Sequence, residues 1–229
     1  MEVILPVLNW VQQDGTLYLK EYLLNDGHAQ GMRTALNLRT DLFTKVLIDN
    51  CGLSEQAIED LMAGFQELDV LKQLVIRRTK VGLGCIPYLL NIQETIFPHN
   101  LVVLKIEHCQ IDKETTLALI EGLREKSYIR TLSLVRVAFT PESIVELCEF
   151  LSHRSYIEEL DLSDNRLEPK LFAPIIETLT RCKNLKSINL SWNLLLEKAR
   201  GPQIGTYIKE EKLIYGRADE PIEFQEVGV

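Results

Sequence analysis

Written as apolar and polar positions, the chain repeats one template six times: apolar-x-x-apolar-x-apolar-x-x-(Asn, Cys, Thr or Val)-x-apolar. The segments are FTKVLIDNCGL from Phe43, LKQLVIRRTKV from Leu71, LVVLKIEHCQI from Leu101, IRTLSLVRVAF from Ile129, IEELDLSDNRL from Ile157 and LKSINLSWNLL from Leu185. Their starts lie 28, 30, 28, 28 and 28 residues apart. All 24 required apolar positions are filled in a chain that is 46% hydrophobic. Chance would do this in about one fixed frame in 10⁸, so the repeat is real.

The second and third apolar positions are two apart, which puts them on one face of a short strand. The strand then bends. The template residue in the bend is Cys51, Thr79, Cys109, Val137, Asn165 or Asn193. An Asn there can bond the backbone of neighbouring turns, a thiol or hydroxyl can replace it in part, and Val137 cannot. Past each bend the period becomes helical: Ala57, Ile58, Leu61, Met62 and Phe65 form one stripe. Ile144, Leu147, Cys148 and Leu151 form a second, and Phe172, Ile175, Ile176 and Leu179 a third. Thr140-Pro141-Glu142 reads as an N-cap, a first-turn Pro and a well-placed acid, and Glu168-Pro169 starts another helix. The second repeat is two residues longer, and the excess is expected in a loop near Phe97-Pro98-His99.

Stacked repeats leave apolar ends that need covering. Leu17, Leu19, Tyr22 and Leu24 fit a degenerate repeat ahead of the six, followed by a weak helical face at Met32, Ala35 and Leu36. Leu213 continues the spacing at the other end, but Gly216 and Ala218 break the pattern. The expected organisation is a cap over 1–15, with Ile4, Leu8 and Trp10, then a degenerate repeat over 16–42 and six repeats over 43–212. A C-terminal cap and acidic tail occupy 213–229, holding either a last strand at Ile222 and Phe224 or an acidic end.

The stretches around Leu160, Leu162, Asn165 and Leu167, and around Ile188, Leu190, Asn193 and Leu195, resemble the leucine-rich repeat family. The 28-residue period with a helical second half is similar to the ribonuclease-inhibitor-like class. The resemblance implies an α/β fold: a right-handed solenoid, or horseshoe, with parallel strands on the concave face and helices on the convex face. It implies no function, since one such scaffold carries many.

Composition narrows the classes further. Charged residues make up 25% of the chain and the formal net charge is −8, with a pI near 5.2. Such a chain is a poor non-specific polyanion binder, so no nucleic-acid partner is expected. No apolar run reaches the ~18 residues of a membrane span, and no basic residue precedes the first apolar segment, so neither insertion nor a secretory leader is expected. Five cysteines without a CxxC pair suggest structural thiols in a reducing compartment, and no metal or cofactor site.

Candidate chemistry comes from the residues that alternate with the inward apolar ones. In register they form three rows. One is Asn50, Arg78, His108, Arg136, Asp164 and Trp192; the next is Asp49, Arg77, Glu107, Val135, Ser163 and Ser191; the third is Leu47, Val75, Lys105, Ser133, Asp161 and Asn189. Strands ~4.8 Å apart would let Arg77, Arg78, Lys105 and Arg136 share a cationic patch, with Glu159, Asp161 and Asp164 beside it. Two readings stand: a partner-binding patch, or opposite charges that pair across strands and keep the sheet solvated. Trp192 points outward, where core packing does not explain it, so it either contacts a partner or is covered by the C-terminal cap.

Catalytic constellations are lacking. The template sends Cys109 into the bend and His108 to the surface, so they diverge, and His28, His99 and His153 fall far apart. Gly82-Leu83-Gly84 has neither the further glycine nor the lysine of a phosphate loop, and lies where a strand-to-helix bend would use glycine. Glu121, Arg124, Glu125 and Lys126 read as ordinary solvated helix charges.

The function expected is therefore a non-enzymatic protein-binding module. Its partner site would comprise Arg77, Arg78, Lys105, His108, Arg136, Asp161, Asp164 and Trp192. The resemblance implies a cytoplasmic subunit of a larger assembly, cytoskeletal and ciliary ones included. It also admits two alternatives: regulators like the Ran GTPase-activating proteins, and actin pointed-end caps of the tropomodulin type. The first typically carries a long, strongly acidic tail, which four acids among the last 13 residues hardly match. The second needs tropomyosin-binding helices upstream, for which about 15 residues leave no room.

Overall fold

The computed structural model describes residues 15–38, 40–41, 43–91, 101–126, 128–152, 156–193 and 222–223. Strands and helices alternate along it. The strands are β1 (Thr16–Lys20), β2 (Lys45–Asp49), β3 (Gln73–Arg77), β4 (Val103–Glu107), β5 (Thr131–Val135), β6 (Glu159–Asp161), β7 (Ser187–Asn189) and β8 (Ile222–Glu223). The helices are α1 (Asp26–Leu38), α2 (Glu55–Phe65), α3 (Ile86–Asn91, entered through a 3-10 turn at Leu83–Cys85), α4 (Lys113–Lys126), α5 (Pro141–Ser152) and α6 (Pro169–Leu179). The sheet follows chain order, with β1 to β7 parallel and β8 antiparallel to β7. The insertion near Phe97, the expected N-terminal cap apart from Gly15, and the expected C-terminal cap over 213–229 apart from Ile222–Glu223 lie outside the described residues.

Apolar register holds the layers together. Leu17, Val46, Leu74, Leu104, Leu132, Leu160 and Ile188 are direct partners across seven strands. Leu19, Ile48, Ile76, Ile106 and Leu134 form a second row two residues on. Every one of these side chains is buried. They share one continuous core with the helix stripes, including Met32, Ile58, Leu61, Phe65, Leu119, Leu123, Leu147 and Ile175. Burying a Leu or Ile is worth roughly 1.5–3 kcal/mol, so each repeat gains chiefly by lying against its neighbours. Successive helices pack side by side over that apolar face. The first strand and helix join the same two layers: β1 pairs with β2 and α1 packs on α2.

Side-chain caps start most helices. Asn25 Oδ1 accepts from His28 N–H at 3.0 Å, Ser54 Oγ from Ala57 N–H at 3.0 Å and Asp112 Oδ1 from Thr115 N–H at 2.8 Å. Thr140 and Ser143 bond each other reciprocally at the start of α5, as the sequence there predicts. Glu168 precedes α6 without a side-chain cap bond, leaving Pro169 as the start signal. Gly82 corrects one expectation: its φ of −98° suits any residue, and its open side is filled by the Glu55 carboxylate. Arg124 is a second correction, because it bridges from α4 to Glu146 and Glu149 on α5 instead of standing free.

Candidate interaction surface

The strand residues between the buried ones face away from the helices, and among the described residues no element packs over them. Four cross-strand rows result. Thr16, Lys45, Gln73, Val103, Thr131, Glu159 and Ser187 form the first. Tyr18, Leu47, Val75, Lys105, Ser133, Asp161 and Asn189 form the second. The third begins Lys20, Asp49, Arg77, Glu107 and Val135.

The fourth row is different in kind. Glu21, Asn50, Arg78, His108, Arg136, Asp164 and Trp192 all have a left-handed backbone, with φ between 49° and 59°. They are not strand residues, as the alternating pattern suggested. The N–H groups of Asn50, Arg78, His108 and Asp164 extend the ladder to the neighbouring strand's carbonyl. The left-handed turn then redirects the chain into the bend and leaves the side chain outside.

Bend residues behave according to their donors and acceptors. Asn165 Nδ2 donates to Leu134 O and Leu162 O, and its Oδ1 accepts from Val137 N–H at 2.7 Å. Asn193 does the same one repeat later, donating to Leu162 O and Leu190 O and accepting from Asn165 and Leu167. Val137 thus offers no side-chain bond, yet its own amide is satisfied by the following repeat. Cys51 and Cys109 each place Sγ near two carbonyls, at 3.3 to 3.5 Å. Burial pushes the Cys109 thiol up to about 11, against the lowering effect of its backbone bonds, so it is a poor nucleophile at neutral pH. All five cysteines are free.

The charges expected to pool are distributed in pairs. Arg77 Nε meets Glu107 at 2.5 Å, and the other Glu107 oxygen accepts from Ser133 Oγ at 2.9 Å. Arg78 reaches back over two strands to Asp49 at 2.7 Å and Glu21 at 3.7 Å. Asp164 sits between Arg136 at 3.6 Å and His108 at 4.0 Å. Asp161 is held by Ser163 N–H and Asn189 Nδ2. Lys105 makes no ion pair among the described residues. Trp192 is 62% exposed, the largest exposed side chain on this face.

Tyr18 is absent from the rows that the sequence marks as candidates. It is 36% exposed and directly beside Leu47, which is beside Val75. Carrying the Leu47 row one repeat towards the N-terminus would have found it. Among the described residues no group of side chains has the makings of a metal site, and no helix is long and apolar enough to cross a membrane. No protein-family model and no curated protein matches the chain.

Proposed function

We propose that the protein is a leucine-rich-repeat solenoid of the ribonuclease-inhibitor-like class, right-handed, with concave strands and convex helices. It serves as a non-enzymatic docking subunit of a larger cytoplasmic assembly. The observation that carries this reading is a seven-stranded parallel sheet with one side that no element covers among the described residues. Parallel sheets ordinarily bury both faces, so an open one that displays Trp192 and a graded set of charges suits a protein partner. The 28-residue repeat and the Asn165 and Asn193 bends support the family assignment.

Affinity purification from the native source tests the docking role. Wild type is compared with an Arg78→Glu/Arg136→Glu/Trp192→Ala variant whose fold is verified by circular dichroism. Discrete partners lost with the variant are the expected result. Partners that survive all three changes would move the contact to the helices or the tail.

A further inference from the structure

Tyr18, Leu47 and Val75 stand side by side across β1, β2 and β3 on the uncovered face. Tyr18 is exposed and the other two are half-buried. None of them contributes to the helix-facing rows, so among the described residues this stripe is apolar surface without a structural task. The next member of the row is Lys105, which is opposite Val75. Its ammonium has no carboxylate in ion-pair reach among the described residues. Lys20 also faces solvent, two residues beyond Tyr18 on the same strand, and Lys45 flanks Leu47.

Electrostatics set this end of the sheet apart. Over β1 to β4 the four rows carry five cations, Lys20, Lys45, Arg77, Arg78 and Lys105, against three carboxylates, Glu21, Asp49 and Glu107. Over β5 to β7 they carry Arg136 against Glu159, Asp161 and Asp164. A cationic apolar stripe on a chain of net charge −8 selects for an acidic partner.

The spacing says which kind of acidic segment fits. The stripe runs perpendicular to the strands, one side chain per strand, at about 4.8 Å per step. An α-helix advances about 5.4 Å per turn, so its i, i+3/i+4, i+7 positions place one apolar side chain over each strand in succession. An added strand would pair at the sheet edge and leave the stripe bare.

We propose that the face over β1 to β4 receives an acidic amphipathic helix from a partner protein, laid across the strands. Its apolar stripe rests on Tyr18, Leu47 and Val75, and its carboxylates meet Lys20 and Lys105. This inference rests on the docking function proposed above and relocates its energetic centre away from Arg136 and Trp192.

The test uses a fluorescein-labelled peptide of about 18 residues with Leu at i, i+4, i+7, i+11 and i+14 and Glu on both flanks. It is titrated beside a scrambled peptide of the same composition and one with Lys in place of Glu. The full chain should bind the patterned acidic peptide alone. Leu47→Glu and Tyr18→Glu should each weaken binding about tenfold or more. Lys105→Glu should weaken it several-fold and reduce its salt dependence, and Lys170→Glu, on exposed α6 surface away from this face, should leave it unchanged. Tyr18 is exposed enough that its substitution keeps the test valid should Leu47→Glu fail to fold. Absence of binding, equal affinity for the scrambled peptide, or indifference to both Tyr18 and Leu47 would overturn the helix. So would tighter, Leu47-dependent binding to phosphatidylserine vesicles. The two proposals fail separately. Native partners lost with Arg136→Glu/Trp192→Ala but kept with Leu47→Glu would sustain the docking function and remove the helix from β1 to β4. Partners indifferent to every one of these changes would remove both.

Discussion

At the bend after β2, one thiol is near the carbonyls of Leu19 and Asp49; at the bend after β6, one carboxamide ties Leu134, Leu162 and Val137 together. Both bends follow the same left-handed turn and start the same kind of helix. The backbone path therefore does not depend on the bend side chain, which the ladder and the core already direct. What changes is how much polar bonding each bend adds: a thiol is a weak single donor, whereas an Asn satisfies buried groups on both sides of itself. The two ends also differ on their open face, cationic and apolar over β1 to β4, acidic over β5 to β7.

The sharpest way to break this contrast is Asn193→Ala. It removes the bonds donated to Leu162, Leu190 and Ser191 and the two accepted from Asn165 and Leu167 at a buried site, and should cost about 3 kcal/mol in urea unfolding. Cys109→Ala, at the matching bend, should cost about 1 kcal/mol; equal losses would mean that the bends are energetically alike. The Cys85 and Cys109 thiols, both pushed up to about 11 by burial, should react with a disulfide reagent only as the protein unfolds, and fast labelling at pH 7 would contradict that burial.

The helix caps give a smaller, pH-dependent contrast. Asp112→Ala should cost about 1 kcal/mol at neutral pH, whereas Glu168→Ala should cost almost nothing. The bond from the Thr115 amide holds the Asp112 carboxyl below its ordinary 3.8, so its contribution is present above that value and lost as the pH falls through the lowered one. Wild type and Asp112→Ala should converge in acid, and a gap that persists there would show that the charge is not responsible. Arg136→Ala should change stability by about 0.5 kcal/mol or less, since its partner Asp164 is also partly solvated.

Much of this was legible beforehand, and the reason is periodicity. Leu74 and Ile76 are two apart because a strand demands it, and Ile58, Leu61 and Phe65 keep helical spacing, so the layers and the strand register followed from the chain alone. The left-handed row did not, because Asn, Arg, His, Asp and Trp share no propensity that marks it; only the repeated position does. Ion pairing was equally opaque. Whether Arg78 meets a partner's acid or Asp49 depends on side-chain reach to the adjacent strand, which spacing does not encode. Tyr18 carries no charge and belongs to the degenerate repeat, so its stripe is visible only when three neighbouring strands are taken together.

The left-handed turns have an evolutionary consequence. Glycine would occupy such a position at no steric cost, whereas a bulky residue gives up on the order of 1 kcal/mol, and Asn or Asp somewhat less. Not one of the seven turns in this row uses glycine. The forgone stability is a sizeable part of the roughly 5–15 kcal/mol a domain keeps in hand. Arg78 is tied to the buried Asp49, but exposed His108 and Trp192 carry no such duty, so selection can rewrite those two one at a time. A descendant of this protein could therefore change its surface vocabulary without renegotiating its fold.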